Sequence, residues 1–158
     1  MNTTYTPPQR LESWVSFLQS HSAITRELSA QLQHEHGLTL SDYEVLLRLK
    51  NAEGGMMRRV DLAEQVLLTA SGITRLLEGL ERAGFVRKEN CASDARVSYA
   101  KITEEGLTKF KAASKTHLRG IDELFLSRYS GSELATLAEL LGRLPVTGSE
   151  CKTSEPCS

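Results

Sequence analysis

No stretch of this 158-residue chain approaches the roughly 18 to 20 consecutive apolar residues that a bilayer-spanning helix needs. The opening MNTTYTPPQR lacks a basic segment followed by an apolar one, so a secretory leader is not expected and the chain is read as cytoplasmic, with no membrane partner. Cysteine is scarce. Cys91, Cys151 and Cys157 are an odd count without C-x-x-C spacing, which argues against a disulfide framework and for reduced thiols. His34 and His36 fall two apart, pointing to different faces of a helix, and no cysteine pair accompanies them, so no metal site is expected. Glycine-rich phosphate loops are missing, and no histidine lies close in sequence to Cys91 to act as a base; neither an enzyme, a catalytic residue nor a cofactor is expected. An excess of positive charge is missing too. With 19 Lys and Arg against 20 Asp and Glu the net charge is -1, which excludes a uniformly basic coat and confines any polyanion binding to a local patch.

What is present is helical periodicity. The 40% hydrophobic and 25% charged content is that of an ordinary globular domain. Leu11, Trp14, Val15, Leu18, Ile24, Leu28 and Leu32 recur near the 3.6-residue period and predict a helix over about 9–35. At about 1.5 Å per residue it would be roughly 40 Å long, too long for so small a domain to cover, and it therefore requires a partner helix. Gly37 ends it. Ser41 with Glu44 offers a capping box for a second helix that stops near Asn51. MMRR, residues 56–59, suggests a very short strand, and VDLAEQVLL after it a helix of about two turns.

In TASGITRLLEGLERAG, Ile73, Leu76, Leu77 and Leu80 form one stripe, while Ser71, Thr74, Arg75 and Glu78 take the same spacing on nearly the opposite side. Gly84 stands where a left-handed residue ends a helix. FVRKE and VSYAKI then read as hairpin strands around NCASDAR. Thr103 caps a further helix reaching about Ser127, with Glu104 and Glu105 in the first turn where the helix dipole favours acids. Ser132 is placed to cap a last one carrying Leu134, Leu137, Leu140, Leu141 and Leu144, and Pro145 to end it.

Two short helices followed by a hairpin give the arrangement of a winged helix-turn-helix. The fold class expected is mainly α with a small β-hairpin wing: a winged helix-turn-helix over 38–103, a helical dimerisation region over 9–36 and 104–144, and a disordered tail over 145–158. Small side chains at the start of the second short helix would let its backbone approach base edges in a major groove about 12 Å wide, and Arg75 is long enough to fork onto a guanine or a phosphate. Asp94 two residues before Arg96 can pair carboxylate with guanidinium across the turn, and an arginine at a wing tip suits a narrow minor groove. The expected DNA contacts are Thr69, Ser71, Thr74, Arg75, Asp94 and Arg96.

Residues 67–106, LLTASGITRLLEGLERAGFVRKENCASDARVSYAKITEEG, resemble the central signature of the multiple-antibiotic-resistance regulator (MarR) family. That signature is a Ser-x-x-Thr-Arg recognition helix, a Leu-Glu-x-x-Gly exit, an Asp-x-Arg wing and a Thr-x-x-Gly helix start, met here by Ser71, Thr74, Arg75, Asp94, Arg96, Thr103 and Gly106. The likeness extends over about 9–144; Cys91 and the tail fall outside it. It implies a homodimer on a pseudo-palindromic double-stranded DNA operator, acting as a repressor and released by a small, often aromatic or phenolic, effector. The effector would enter a crevice between dimer region and winged domain, for which Trp14, His21, Tyr43, Arg48, Arg59 and Asp61 are the expected lining, with Asp61 placed to orient Arg59. Relatives that sense oxidants carry their thiol in the N-terminal helix, where this chain has none. A different class of function, a winged-helix protein-interaction module without DNA binding, fits the same elements.

Overall fold

A computed structural model of the chain describes residues 8–66, 70–91, 93–94 and 96–145. Six helices and three strands follow in the order α1 (Pro8–His36), α2 (Leu40–Asn51), β1 (Met56–Arg58), α3 (Arg59–Gln65), α4 (Ala70–Arg82), β2 (Val86–Asn90), β3 (Ser98–Ile102), α5 (Glu104–Leu124) and α6 (Gly131–Leu141). The mainly helical winged architecture read from the sequence is the one observed. The strand suggested at 56–59 exists because its central neighbour can pair on two sides. The sheet order is β1-β3-β2, antiparallel, with Met57 opposite Ala100 on one edge and Val86 opposite Ile102 on the other.

The core lies where α2, α3 and α4 meet the sheet and the start of α5. Leu46, Leu49, Leu62 and Leu77 are fully buried there, joined by Leu32 from α1 and Phe110 from α5. The stripe on α4 faces inward as its spacing requires: Ile73, Leu77 and Leu80 are buried, with Leu76 packed at their margin. Burial of one such side chain stabilises by about 1.5 to 3 kcal/mol, so the stripe fixes which face of α4 is left for solvent.

Two caps differ from expectation. Helix α2 is capped by Thr39, not Ser41: its hydroxyl accepts from the Asp42 amide at 3.1 Å while the Asp42 carboxylate accepts from the Thr39 amide at 2.8 Å. Both pairs satisfy the same spacing rule, but starting at Leu40 puts Leu38 and Tyr43 at the staple positions, and both are buried. Helix α6 likewise starts from Ser130 with Glu133, not Ser132, and ends at Leu141, short of Pro145. Residues 146–158, including Cys151 and Cys157, lie outside the described residues.

The helices outside that core are only partly covered. Leu11, Trp14, Val15, Phe17 and Leu18 of α1 are exposed, as are Leu118 on α5 and Leu140 and Leu141 on α6. No residue of α6 is buried. Only the C-terminal part of α1 is anchored, through close packing on α5 around Leu28 and Leu32.

Candidate nucleic-acid interface

Helix α4 presents Ser71, Thr74, Arg75 and Glu78 to solvent, opposite its buried stripe. Its exit is shaped by Gly84, at φ 76°, where the Phe85 amide donates to the Leu80 carbonyl at 2.9 Å and the Gly84 amide to that of Glu81 at 3.0 Å. This pair of bonds caps the helix and turns the chain directly into β2. Thr103 then locks the far end of the hairpin onto the same corner: its hydroxyl donates to the Gly84 carbonyl at 2.6 Å and its amide to that of Phe85 at 3.0 Å. The same hydroxyl accepts from the Gly106 amide at 3.0 Å, opening α5. A side chain at Gly106 would strike the Phe85 carbonyl, so the Thr-x-x-Gly spacing is what lets α5, the hairpin and the exit of α4 meet. Helix α4, the hairpin and the start of α5 are thereby tied together at one corner.

At the wing tip the expected pairing takes a different form. The Asp94 carboxylate accepts from the backbone amide of Arg96 at 2.9 Å, whereas the guanidinium approaches it only to 4.0 Å and the Arg96 side chain is 96% exposed. Asp94 therefore braces the backbone turn and leaves the arginine side chain projecting. The physical reason is that the fixed amide is a better donor than a long side chain whose exposed ion pair is worth about 0 to 1 kcal/mol. Below the tip the Cys91 amide donates to Val97 at 3.1 Å, and Val97 to the Asp94 carbonyl at 3.0 Å. Glu89 holds Arg87 at 3.7 Å and Lys101 at 3.8 Å, and Glu81 holds Arg59 at 3.9 Å. Several cations near the face are thus partly neutralised, while Arg75 and Arg96 stand exposed. Thr69 lies outside the described residues.

Cys91 departs from the reduced thiol expected. It is buried and disulfide-bonded. A bonded sulfur carries no proton, so the Ser93 hydroxyl, 3.2 Å away, is the donor between them.

The residues expected to line an effector crevice are spread along the chain. Trp14 and His21 flank Phe17 on the exposed start of α1, with ring centroids 6.2 and 6.5 Å from it. Tyr43 is buried, stacked on Phe110 at 5.4 Å and tilted against His117 at 4.5 Å, and its hydroxyl shares a hydrogen bond with Ser114 at 3.3 Å. Arg48 is exposed, and the acid beside Arg59 is Glu81 rather than Asp61. A shallow cavity of about 490 Å³ against α5 is lined by other residues, among them His36, Phe85 and Lys109.

Spacing missed a polar knot joining α1 to α5. Thr116 donates to Glu35 at 2.8 Å, so its oxygen must accept from His36 Nε2, also at 2.8 Å, and Arg119 donates to Glu35 at 2.6 Å. The Thr116 hydroxyl, then Arg119, hold the Glu35 carboxyl below its ordinary range. Nearby, burial holds His117 below the usual imidazole value. The only sequence signal was a set of polar residues on the inner face of α5, where apolar ones would be the default.

The profile of the MarR family matches residues 36–97, spanning the end of α1 to the wing. The transcriptional regulator HosA of Escherichia coli O157:H7 is 31% identical over 117 residues, 73% of this chain and 84% of HosA. The chain belongs to the MarR family. Among solved structures, AbsC, a MarR family transcriptional regulator from Streptomyces coelicolor, superposes with a TM-score of 0.81 at 31% identity, covering 88% of this chain and 93% of AbsC. Sco3205 from the same organism, solved in complex with DNA, shares the fold at a TM-score of 0.81 and 24% identity over 89% of this chain and 95% of its own. This MarR-family chain is accordingly a winged-helix transcriptional regulator and not an enzyme. Among its described residues no helix is long and apolar enough to cross a membrane.

Proposed function

We propose that this MarR-family regulator is a cytoplasmic homodimeric repressor that binds a pseudo-palindromic operator in double-stranded DNA and releases it when a small effector binds. The observation that carries the reading is the hydrogen-bonded corner of α4 and wing, which presents Ser71, Thr74 and Arg75 on one exposed face and Arg96 at a braced tip. In it, α4 enters the major groove, where Arg75 reaches a base edge or phosphate, and Arg96 enters the adjacent minor groove. Thr69 and Asp94 complete the contact set, the latter by fixing the turn. The DNA complex of Sco3205 supports this docking by likeness of fold.

The division of labour follows the exposed apolar surface. Residues 38–103 form the DNA-binding unit, and 9–36 with 104–144 the dimerisation region, whose uncovered Trp14, Leu118 and Leu141 need a second copy. Trp14, His21 and Tyr43 would line a crevice between the dimerisation region and the winged unit, and an aromatic effector is the ligand class these rings suit. Arg48, Arg59 and Asp61 would supply its polar contacts.

Fluorescence anisotropy with duplex from the gene's own promoter tests the reading across a salt series. Arg75→Ala and Arg96→Ala should each cost about 1 to 3 kcal/mol of affinity. If neither change alters binding, the contact assignment is wrong. A flat salt slope without sequence preference would instead favour a protein-interaction module.

A further inference from the structure

We propose that Glu78 sets the base preference of the operator by accepting a hydrogen bond from the amino group of a cytosine in each half-site, a role that rests on the placing of α4 in the major groove. Four carboxylates lie between Ala70 and Ile102. Three of them have partners within the fold. Glu81 lies 3.9 Å from Arg59, Glu89 lies 3.7 Å from Arg87 and 3.8 Å from Lys101, and the Asp94 carboxylate accepts from the Arg96 amide at 2.9 Å. Glu78 is exposed, and among the described residues its carboxylate has no hydrogen bond or ion pair. Cations stand close by without taking it. Arg82, four residues on, is the usual helical mate of a glutamate, but its Nε donates to the Glu78 backbone carbonyl at 3.3 Å instead. Arg75, three residues back, is exposed on the same face and forms no ion pair with it.

Spacing puts Glu78 in the middle of the reading face. Ser71 and Glu78, seven residues apart, fall nearly in line along α4, with Thr74 and Arg75 to either side. From Ser71 to Glu78 is about 10 Å of helix, which fits within a major groove about 12 Å wide. A carboxylate accepts hydrogen bonds and cannot donate them, so phosphate oxygens, guanine N7 and O6 and thymine O4 all repel it. The amino groups of cytosine and adenine are the donors that the groove offers. Adenine sets its amino group beside the N7 acceptor, which repels the second carboxylate oxygen, whereas cytosine has only a C–H in that place. Glu78 therefore weakens binding to DNA at large, and the loss is offset where a cytosine stands opposite. One charge supplies both the attraction to the right sequence and the rejection of others.

The test selects full-length protein on a pool of random duplexes, then measures anisotropy on the winning duplex and on each of its single base-pair changes. Wild type, Glu78→Ala, Glu78→Gln and Arg75→Ala are compared. Because Glu78 is exposed, its variants should keep the wild-type circular dichroism. One position in each half-site should favour cytosine about tenfold in the wild type. Glu78→Ala should erase that preference, leave the other positions as they were, and bind a duplex of unrelated sequence more tightly than the wild type does. Glu78→Gln should turn the preference to adenine, whose N6 and N7 match an amide. Identical base preferences in the wild type and Glu78→Ala would overturn the proposal. So would a change of equal size on every duplex, or a Glu78-dependent position that favours a base other than cytosine. In each of those cases a preference lost in Arg75→Ala shows that α4 still reads the groove. Absence of any base preference in the wild type would instead sink the docking of α4, and this assignment with it.

Discussion

Gly106 and His117 lie eleven residues apart on α5 and face the rest of the fold in opposite ways. At Gly106 there is no room: a methyl group would meet the Phe85 carbonyl and the Ile102 side chain, and the backbone at that corner is already tied by two Thr103 bonds. Gly106→Ala should therefore destabilise the protein by about 1 to 3 kcal/mol despite alanine's better helix propensity. Gly131→Ala, with nothing within 4 Å, is the control and should be neutral or slightly stabilising; urea denaturation of both variants checks the contrast. At His117 the limit is charge, not volume. The ring packs on Tyr43 with its Nδ1 buried and unpartnered, and burial disfavours the imidazolium. The folded state thus holds the neutral form to a lower pH than the unfolded chain, whose ordinary value is 6.5. Its contribution is complete above that value, shrinks as pH falls below it, and is gone once pH passes the lowered folded value. Denaturation at a series of pH values should show His117→Phe flattening this acid-side loss. The Glu35 carboxyl, also held low, adds its own acid-side loss only as pH falls below its ordinary 4.5.

Among the elements, those set by local rules were legible: the α4 stripe, the turn at Gly84, the hairpin and the Thr103 cap all depend on residues within a few positions of one another. The cap at α2 was ambiguous because Thr39 with Asp42 and Ser41 with Glu44 share one spacing, whereas at α6 Ser130 has Glu133 three residues on and Ser132 has only Ala135. Thr39 wins over Ser41 through the burial of Leu38 and Tyr43, which only tertiary packing decides. The knot of Glu35 with Thr116 joins residues 81 apart in sequence and left no periodic trace. The wing tip was half legible, since Asp-x-Arg spacing marks the turn but not which Arg96 donor the carboxylate takes. Helix α6 is the element whose leucines remain without a cover in the single chain, and the uncovered start of α1 is its counterpart. Leu141→Asp together with Leu118→Asp should shift the protein from dimer to monomer in sedimentation equilibrium while leaving the winged core, which neither residue touches, folded by circular dichroism. Unchanged dimer would mean that these helices are not the interface.

For the whole molecule, the wing corner and the α1–α5 knot have a joint consequence. Because α4 and the wing are hydrogen-bonded to the start of α5, and α5 is tied to α1 by Thr116, Arg119 and His36, each proposed DNA-contacting corner should be fixed relative to the helices proposed to pair. A dimer so built has little freedom to adjust its span, and two half-sites one helical turn apart, about 34 Å, are what it can engage together. Inserting five base pairs between half-sites rotates one by about half a turn and puts it on the far side of the duplex. Affinity should then fall to that of one half-site, and the slope of log affinity against log salt should drop by about half as the second set of phosphate contacts is lost. Arg96→Ala on the intact operator acts on both half-sites and should lower that slope by about 2, one for each wing. A flexible pair of heads would instead tolerate the insertion with both affinity and slope retained, so anisotropy on the two duplexes separates a rigid corner from a tethered one.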